Sequence, residues 1–304
     1  MTTSFEESFP RGTVIRGKWR QGSYRVERLL GAGANGKVFL VERDRSWYAL
    51  KVGSDAVDLQ SEVNVLQSIA GRKRGASFLV DVDDCRALDG REYPFYVMQY
   101  VRGSTLSDYL SRHGMEWLPV VGYSLLMKLA ELHEAGWTFG DLKLENVIAL
   151  DYGRVELIDF GGATAFGKSV RQFTEIYDRG YWNAGSRTAE AGYDLFSFAV
   201  LLIQLCEHRR LSQLTANLLP QTRSPEELLR LARSNPELKP FDGWLRKALL
   251  GEFGSVREAA ASWQQWMRPE RRKQSETPRW MKGLFAVSAI LLATTIYWLL
   301  RTGS

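Results

Sequence analysis

The run Gly31-Ala32-Gly33-Ala34-Asn35-Gly36, set between two strand-like segments, constrains this chain more than any other feature. Before it, Tyr24–Leu30 carries Tyr24, Val26, Leu29 and Leu30 as its apolar members, and after it comes Val38-Phe39-Leu40-Val41. Both flanks read as β-strands. Glycine lets a backbone approach a polyphosphate closely, because no Cβ stands between them. In dinucleotide-binding folds a Gly-x-Gly-x-x-Gly turn opens a helix. Here it opens a β-type run, which predicts a hairpin lying over a phosphate chain. Taken by itself, the motif also fits a glycine hairpin without a ligand.

The residues that follow narrow the choice. Ser46–Val52 reads as a further strand, and Ala49-Leu50-Lys51-Val52 places a lysine within its apolar run. Desolvating a lysine is worthwhile only where it meets an anion. Asp58–Ala70 reads as a helix with Leu59, Val63, Leu66 and Ile69 on one stripe, and Glu62 beside that stripe can reach inward. Lys51 and Glu62 are therefore expected to pair, with Glu62 orienting Lys51 toward the α- and β-phosphates of a nucleotide.

A second group is acidic. After a helix over Gly122–Glu134 come Trp137-Thr138-Phe139-Gly140-Asp141-Leu142-Lys143-Leu144-Glu145-Asn146, then a short strand, Val155–Ile158, that ends in Asp159-Phe160-Gly161. Phosphoryl transfer from a metal-bound triphosphate needs an acid to accept or orient the hydroxyl proton. It also needs oxygen ligands for Mg²⁺ and a cation near the γ-phosphate. Asp141, Asn146 with Asp159, and Lys143 supply these in that order.

These motifs, in this order over about Tyr24–Trp266, resemble the eukaryotic-like (Hanks-type) Ser/Thr protein kinase family. The strings Phe-Gly-Asp-Leu-Lys and Tyr-Asp-Arg-Gly-Tyr-Trp are similar, more narrowly, to C-terminally anchored kinases of spore-forming bacilli. The resemblance implies an α+β bilobal protein-kinase fold. It divides the chain into an N-terminal extension (1–23) and a kinase domain (24–267), with a β-rich N-lobe over 24–101 and a helical C-lobe over 102–267. It implies ATP and Mg²⁺, with Mn²⁺ as an alternative ion, and protein substrates. Leu30, Gly31, Gly33, Gly36, Val38, Ala49 and Lys51 would line the nucleotide site. Met98 would be the gatekeeper, and the backbones of Gln99 and Val101 would meet adenine. Asp194 in Tyr193-Asp194-Leu195-Phe196-Ser197 would brace the catalytic loop from the start of the central C-lobe helix.

The chain departs from the family in three places. Phe139-Gly140 stands where His-Arg is usual; Phe139 can fill an aromatic slot under Phe160, but Gly140 cannot pair with an activation-loop phosphate. Activity is therefore expected not to depend on phosphorylation of that loop. Asp178 stands where the family commonly has Thr, and Asn183-Ala184-Gly185 replaces Ala-Pro-Glu, removing a glutamate that usually fixes the substrate-binding segment. Small-molecule phosphotransferases of the aminoglycoside-kinase type share the lobes and often read Gly-Asp, as Gly140-Asp141 does. Lys143 and the intact Asp159-Phe160-Gly161 favour the protein-kinase branch. A pseudokinase binding module would have lost Lys51, Asp141 or Asp159, and all three are present.

The C-terminal end predicts an anchor. Residues 283–300 run for 18 positions without a charge, which as a helix spans about 27 Å, close to a hydrocarbon core of ~30 Å. Trp280 just before the run, and Tyr297 and Trp298 near its far end, stand at interfacial positions. A buried helix of a soluble domain is the alternative. Residues 268–282 hold six Lys/Arg against two Glu, and Arg301 adds one positive charge. With a net charge of +5 overall, residues 1–267 are neutral, so the folded part has no general signature of nucleic-acid binding. The basic stretch predicts a cytoplasmic juxtamembrane linker at 268–282, a single transmembrane helix at 283–300 and a four-residue outer tail at 301–304. The localisation expected is thus the cell membrane, with the kinase domain in the cytoplasm. Anionic lipid, or DNA, could bind the basic segment. Ala286, Ser288 and Ala289 could permit close helix packing and homo-dimerisation. Cys85 and Cys206 lie far apart without metal-type neighbours and read as two buried thiols.

Overall fold

The structure, a computed structural model, describes residues 9–33, 35–71, 78–88, 90–171 and 174–267, with 284, 287, 288, 290–295, 298 and 301 of the C-terminal segment. Two compact units divide the chain, Met1–Trp263 and Gln264–Ser304.

The first unit opens with the strands β1 (Val14–Arg16), β2 (Ser23–Gly33), β3 (Gly36–Arg43) and β4 (Ser46–Gly53). Helix α1 (Ala56–Ala70) follows, then β5 (Leu79–Arg86) and β6 (Glu92–Gln99). Among the described residues the six strands form one antiparallel sheet in the order β1-β2-β3-β4-β6-β5. The period of two sorts its side chains. Tyr24, Val26, Phe39, Val41, Leu50, Val52, Phe95 and Val97 pack into one cluster that Phe9 and Ile15 complete. The extension read over residues 1–23 thus belongs to the lobe from Phe9 onward. Three residues of β1 with one inward apolar side chain, Ile15, are too short a pattern to read from sequence.

The opposite period of the sheet carries Ala49, Lys51, Tyr96 and Met98, with Ala49 opposite Met98 and Lys51 opposite Tyr96 across β4 and β6. Val38 is the register partner of Lys51 on β3. The β2–β3 turn comes within reach of β4 only because of Gly36. Its φ is +138°, and a Cβ there would stand 2.1 Å from the Val52 carbonyl oxygen. Helix α1 starts at Asp55, whose carboxylate accepts the N–H groups of Val57 and Asp58. Its apolar stripe buries Leu59, Val63 and Leu66, and carries Glu62 inward with them to 1% exposure.

The helical half contains β7 (Ser104–Thr105), α2 (Leu106–His113), α3 (Leu118–Glu134), β8 (Trp137–Thr138), β9 (Val147–Ala149), β10 (Val155–Leu157) and β11 (Thr164–Ala165). After these come α4 (Ala191–Asn217), α5 (Pro225–Arg233), α6 (Asp242–Leu249) and α7 (Val256–Trp263). Helix α4 is buried without interruption from Tyr193 to Ile203, as expected of a helix surrounded by others. An aromatic group closes the base: Trp263 stacks on Phe241 at 4.8 Å and meets Phe198 and Trp244 edge-on at 5.6 and 4.9 Å. Burying each such side chain contributes about 2–3 kcal/mol. The pairings β10-β9-β7 and β11-β8 bracket the two loops at 139–146 and 158–163.

Cys85 is buried as expected, whereas Cys206 is only half-buried, because it lies beyond the fully enclosed stretch of α4. Most of the expected membrane helix, 283–300, and the linker, 268–282, lie outside the described residues. Its described members are helical, and Leu284, Val287, Ile290, Leu291, Leu292 and Trp298 are exposed. Among the described residues no helix is long and apolar enough to cross a membrane.

Candidate active site

A cavity of about 610 Å³ lies between the sheet and the helical half, within the size range of small-molecule sites. Its lining includes every catalytic, nucleotide-binding and metal-binding residue expected from the sequence except Glu62. Leu30, Gly31, Gly33, Gly36 and Val38 come from the β2–β3 hairpin, and Ala49, Lys51 and Met98 from the sheet. Gln99 ends β6 and Val101 follows it, and Asp141, Lys143, Asn146 and Asp159 come from the loops below.

Glu62 stands behind Lys51. Lys51 Nζ donates to both Glu62 carboxylate oxygens, at 2.7 and 2.8 Å, and to Asp159 Oδ1 at 2.8 Å. Tyr96, directly opposite Lys51 in the sheet, donates its hydroxyl to Glu62 Oε2 at 2.8 Å. Burial opposes the charge on Lys51, but the carboxylates of Glu62 and Asp159 outweigh it and raise the ammonium pKa. Burial raises the Glu62 pKa, with Lys51 opposing. Burial also acts to raise Asp159, yet Lys51 and the Gly161 N–H bring it below the ordinary carboxylate value. Lys51 is thus held charged within the cleft by two carboxylates. Sequence reading missed Tyr96; its signal is the alternation that sets it on the same face as Met98.

The catalytic loop is organised around Asp141. Its Oδ2 accepts Lys143 Nζ at 2.7 Å and Asn146 Nδ2 at 3.2 Å, and its backbone carbonyl accepts Asn146 Nδ2 at 2.8 Å. Its Oδ1 is buried and has no hydrogen-bond partner among the described residues. A buried, unpartnered carboxylate oxygen is costly and points to an absent ligand or substrate group. Burial raises the Asp141 pKa, against the pull of Lys143, and the nearby Asp159 carboxylate raises it further. Asp159 holds φ +61°, a left-handed conformation uncommon for aspartate, with Gly161 N–H donating to its Oδ1 at 3.3 Å. Such outliers concentrate at functional sites.

The residues fit a metal-bound nucleotide. Gly31 and Gly33 line the cavity, and a Cβ at either would meet nothing within 4 Å. Asp159 and Asn146 are oxygen donors of the kind that hold Mg²⁺ together with substrate phosphates. Among the described residues there is no cluster of three or more His, Cys, Asp or Glu that could hold a metal ion alone. Gln99 spends its backbone N–H on Phe78 O at 2.9 Å, so a contact from its backbone to a ligand would use the carbonyl.

The loop is fixed from below by α4. Asp194 Oδ2 accepts Phe139 N–H at 2.7 Å, and Oδ1 accepts Gly140 N–H at 3.0 Å. His133 Nε2 lies 2.7 Å from the same Oδ2, a third partner that sequence reading did not single out. Phe139 packs edge-on against Phe160 at 5.5 Å. The segment lacking the usual Ala-Pro-Glu is tied locally. Arg179 Nη2 pairs with Glu190 at 2.5 Å, Trp182 Nε1 donates to Ile176 O at 2.8 Å, and Asn183 Nδ2 donates to Pro220 O and Arg223 O. Asp178 is buried, accepts Tyr193 Oη–H at 3.2 Å and lies 2.5 Å from Arg187 Nη2.

A two-lobed cleft with a glycine hairpin above, a Lys–Glu–Asp triad at the back and an Asp-x-Lys-x-x-Asn loop below is the architecture of a protein kinase. Comparison with known proteins agrees. The protein kinase domain family matches residues 24–241. The serine/threonine-protein kinase YabT of Bacillus subtilis (strain 168) is 40% identical over 262 residues, 84% of this chain and 75% of its own length. The protein kinase C eye isozyme of Drosophila melanogaster is 27% identical over 56% of this chain and 25% of its own length. This chain belongs to the protein kinase family, as a Hanks-type bacterial Ser/Thr kinase. It is an ATP-dependent phosphotransferase acting on protein hydroxyls, which sets aside the small-molecule and pseudokinase readings.

Proposed function

We propose that this enzyme is a membrane-tethered Ser/Thr kinase that transfers the ATP γ-phosphate to protein hydroxyls, autophosphorylates, and is controlled from the cytoplasmic side. Asp141 accepts or orients the proton of the acceptor hydroxyl through Oδ1, the oxygen with no other partner among the described residues. Lys143, already on Asp141 Oδ2 at 2.7 Å, lies on the acceptor side as a cation for the γ-phosphate. Lys51, held by Glu62, orients the α- and β-phosphates. Asn146 and Asp159 hold Mg²⁺, which when bound neutralises charge on the transferring group. Adenine lies beneath Leu30, Val38 and Ala49, beside Met98, and meets the backbones of Gln99 and Val101.

The observation that carries this reading is the division of labour at the two aspartates. Asp159 is drawn onto Lys51 with a lowered pKa, while Asp141 keeps one oxygen open and a raised pKa. Two acids in one cleft with opposite shifts fit a metal ligand and a proton acceptor. The test is phosphate transfer by the full-length chain to itself and to a generic basic protein, with Lys51→Ala and Asp141→Asn as controls. Each substitution is expected to lower transfer about 1000-fold; equal labelling by wild type and controls contradicts the proposal.

The tether rests on the charge-free run 283–300 and the basic residues before it. The kinase domain is placed in the cytoplasm by the positive-inside rule, and the linker meets anionic lipid. Flotation of the full-length chain with vesicles, lost on deleting 283–300, is the expected result. Residual, salt-sensitive binding by the deleted chain to phosphatidylserine vesicles supports the lipid contact, whereas a preference for DNA reassigns the basic segment. Gly140 in place of arginine supports phosphate-independent activity and moves control toward this linker or toward clustering of chains.

A further inference from the structure

Three observations meet at Val170. Residues 167–170 run antiparallel to 187–189. Gly167 N–H donates to Ala189 O at 2.9 Å, Ala189 N–H to Lys168 O at 2.7 Å and Val170 N–H to Arg187 O at 2.7 Å, with Ser169 opposite Thr188. This ladder closes the base of the excursion that carries Tyr177, Asp178 and Tyr181. Next, Val170 is 5% exposed and forms a buried apolar cluster with Ala189 and Tyr193. Tyr193 adjoins Asp194, the residue that accepts the Phe139 and Gly140 amides. Finally, the Val170 side chain lies over Gly140. A Cβ at 140 would stand 3.0 Å from Val170 Cγ1 and 2.4 Å from the Gly162 carbonyl oxygen. Gly140 has φ +75°, so its conformation also favours glycine.

We infer that Val170 is a positioning residue for the catalytic loop: with Gly140, Ala189 and Tyr193 it forms an apolar latch that holds Asp141 in place without a phosphate. The inference deepens the proposed phosphate-independent activity and rests on it. An arginine–phosphate latch is made of charge-assisted hydrogen bonds that exist only after modification. Packing between apolar groups is present as soon as the chain folds. The latch replaces the one with the other at the same crossing of loop and segment. Val170 touches no reacting group; it acts through Gly140, which precedes Asp141, and through Tyr193, which precedes Asp194.

The experiment uses the full-length chain, treated with phosphatase and checked by intact mass. It compares kcat, the KM for ATP and nucleotide affinity in the wild type, Val170→Ala, Val170→Ile and Val170→Thr. Removing two methyl groups leaves space that neighbours fill only in part. A loosened loop is expected to lower kcat about tenfold in Val170→Ala, with nucleotide affinity unchanged and Val170→Ile within a few-fold of wild type. Val170→Thr keeps the shape but places a hydroxyl in the cluster. It is expected to show the same split, and it provides the test should Val170→Ala melt. Wild-type kcat in both Ala and Thr variants overturns the latch, as does a parallel loss of nucleotide affinity, or an Ile variant no better than Ala. If dephosphorylated wild type is itself inactive, phosphate independence fails and the latch fails with it. If it is active while Val170→Ala and Val170→Thr are both unchanged, the latch alone fails.

Discussion

The nucleotide cleft and the segment from Gly162 to Glu190 reach order by different means. In the cleft each functional group is polar and paired: Lys51 across elements with Glu62 and Asp159, and Asp141 within its own loop with Lys143 and Asn146. In the segment the sequence lacks the usual arginine partner and the Ala-Pro-Glu glutamate, and among the described residues apolar packing, a short backbone ladder and the Arg179–Glu190 and Arg187–Asp178 pairs hold it. The cleft must present charges to a polyphosphate, so its residue types have little freedom. The segment must only be held, and many contacts can hold it.

Restoring the family's arginine tests that contrast most severely. If Gly140 is an unfilled version of the usual site, Gly140→Arg should be tolerated. The structure predicts the reverse, because a Cβ at 140 meets the Gly162 carbonyl oxygen at 2.4 Å and φ is +75°. A misplaced catalytic loop is expected to lower kcat about 100-fold, with nucleotide binding retained. Measured kcat near wild type would show that the crossing at Gly140 is not tight.

A smaller effect sharpens the account of the cleft. Burial raises the Asp141 pKa, and Lys143 opposes that rise. Only the ionised carboxylate accepts a proton, so kcat/KM should fall as pH drops through this raised value, on an acid limb above the ordinary aspartate pKa of about 3.9. Lys143→Met removes the opposing cation and should move that limb to higher pH, apart from its effect on the maximal rate. A full pH–rate profile of both proteins reads this directly; a limb that stays in place would mean that Asp141 is not the titrating group.

The cleft was legible because its motifs are short and its chemistry restricts each position. Lys51 in an apolar strand, Glu62 beside a helical stripe, and the Asp141–Asn146 spacing each carry their reason locally. Asp194 was reached only through family resemblance, and the structure gives its cause in the amides of Phe139 and Gly140. Tyr96, His133 and Val170 were not legible. Each acts through a partner far away in sequence: Tyr96 on Glu62, His133 on Asp194, and Val170 on Gly140, Ala189 and Tyr193. The Gly140 substitution was visible as a loss, but what fills its place depends on how residues 167–170 pair with 187–189. Phe9 and Ile15 were likewise assigned to an extension, because three residues of strand carry too little period to be read.

The central claim is that this kinase holds its active arrangement by packing instead of by a phosphate on the segment. The direct measurement is the steady-state rate of the full-length chain carrying Thr164→Ala, Ser169→Ala and Thr174→Ala together, freed of phosphate and checked by intact mass. The account predicts kcat and the KM for ATP within a few-fold of wild type. A collapse of kcat in this variant, with wild type active only when its segment carries phosphate, would contradict it.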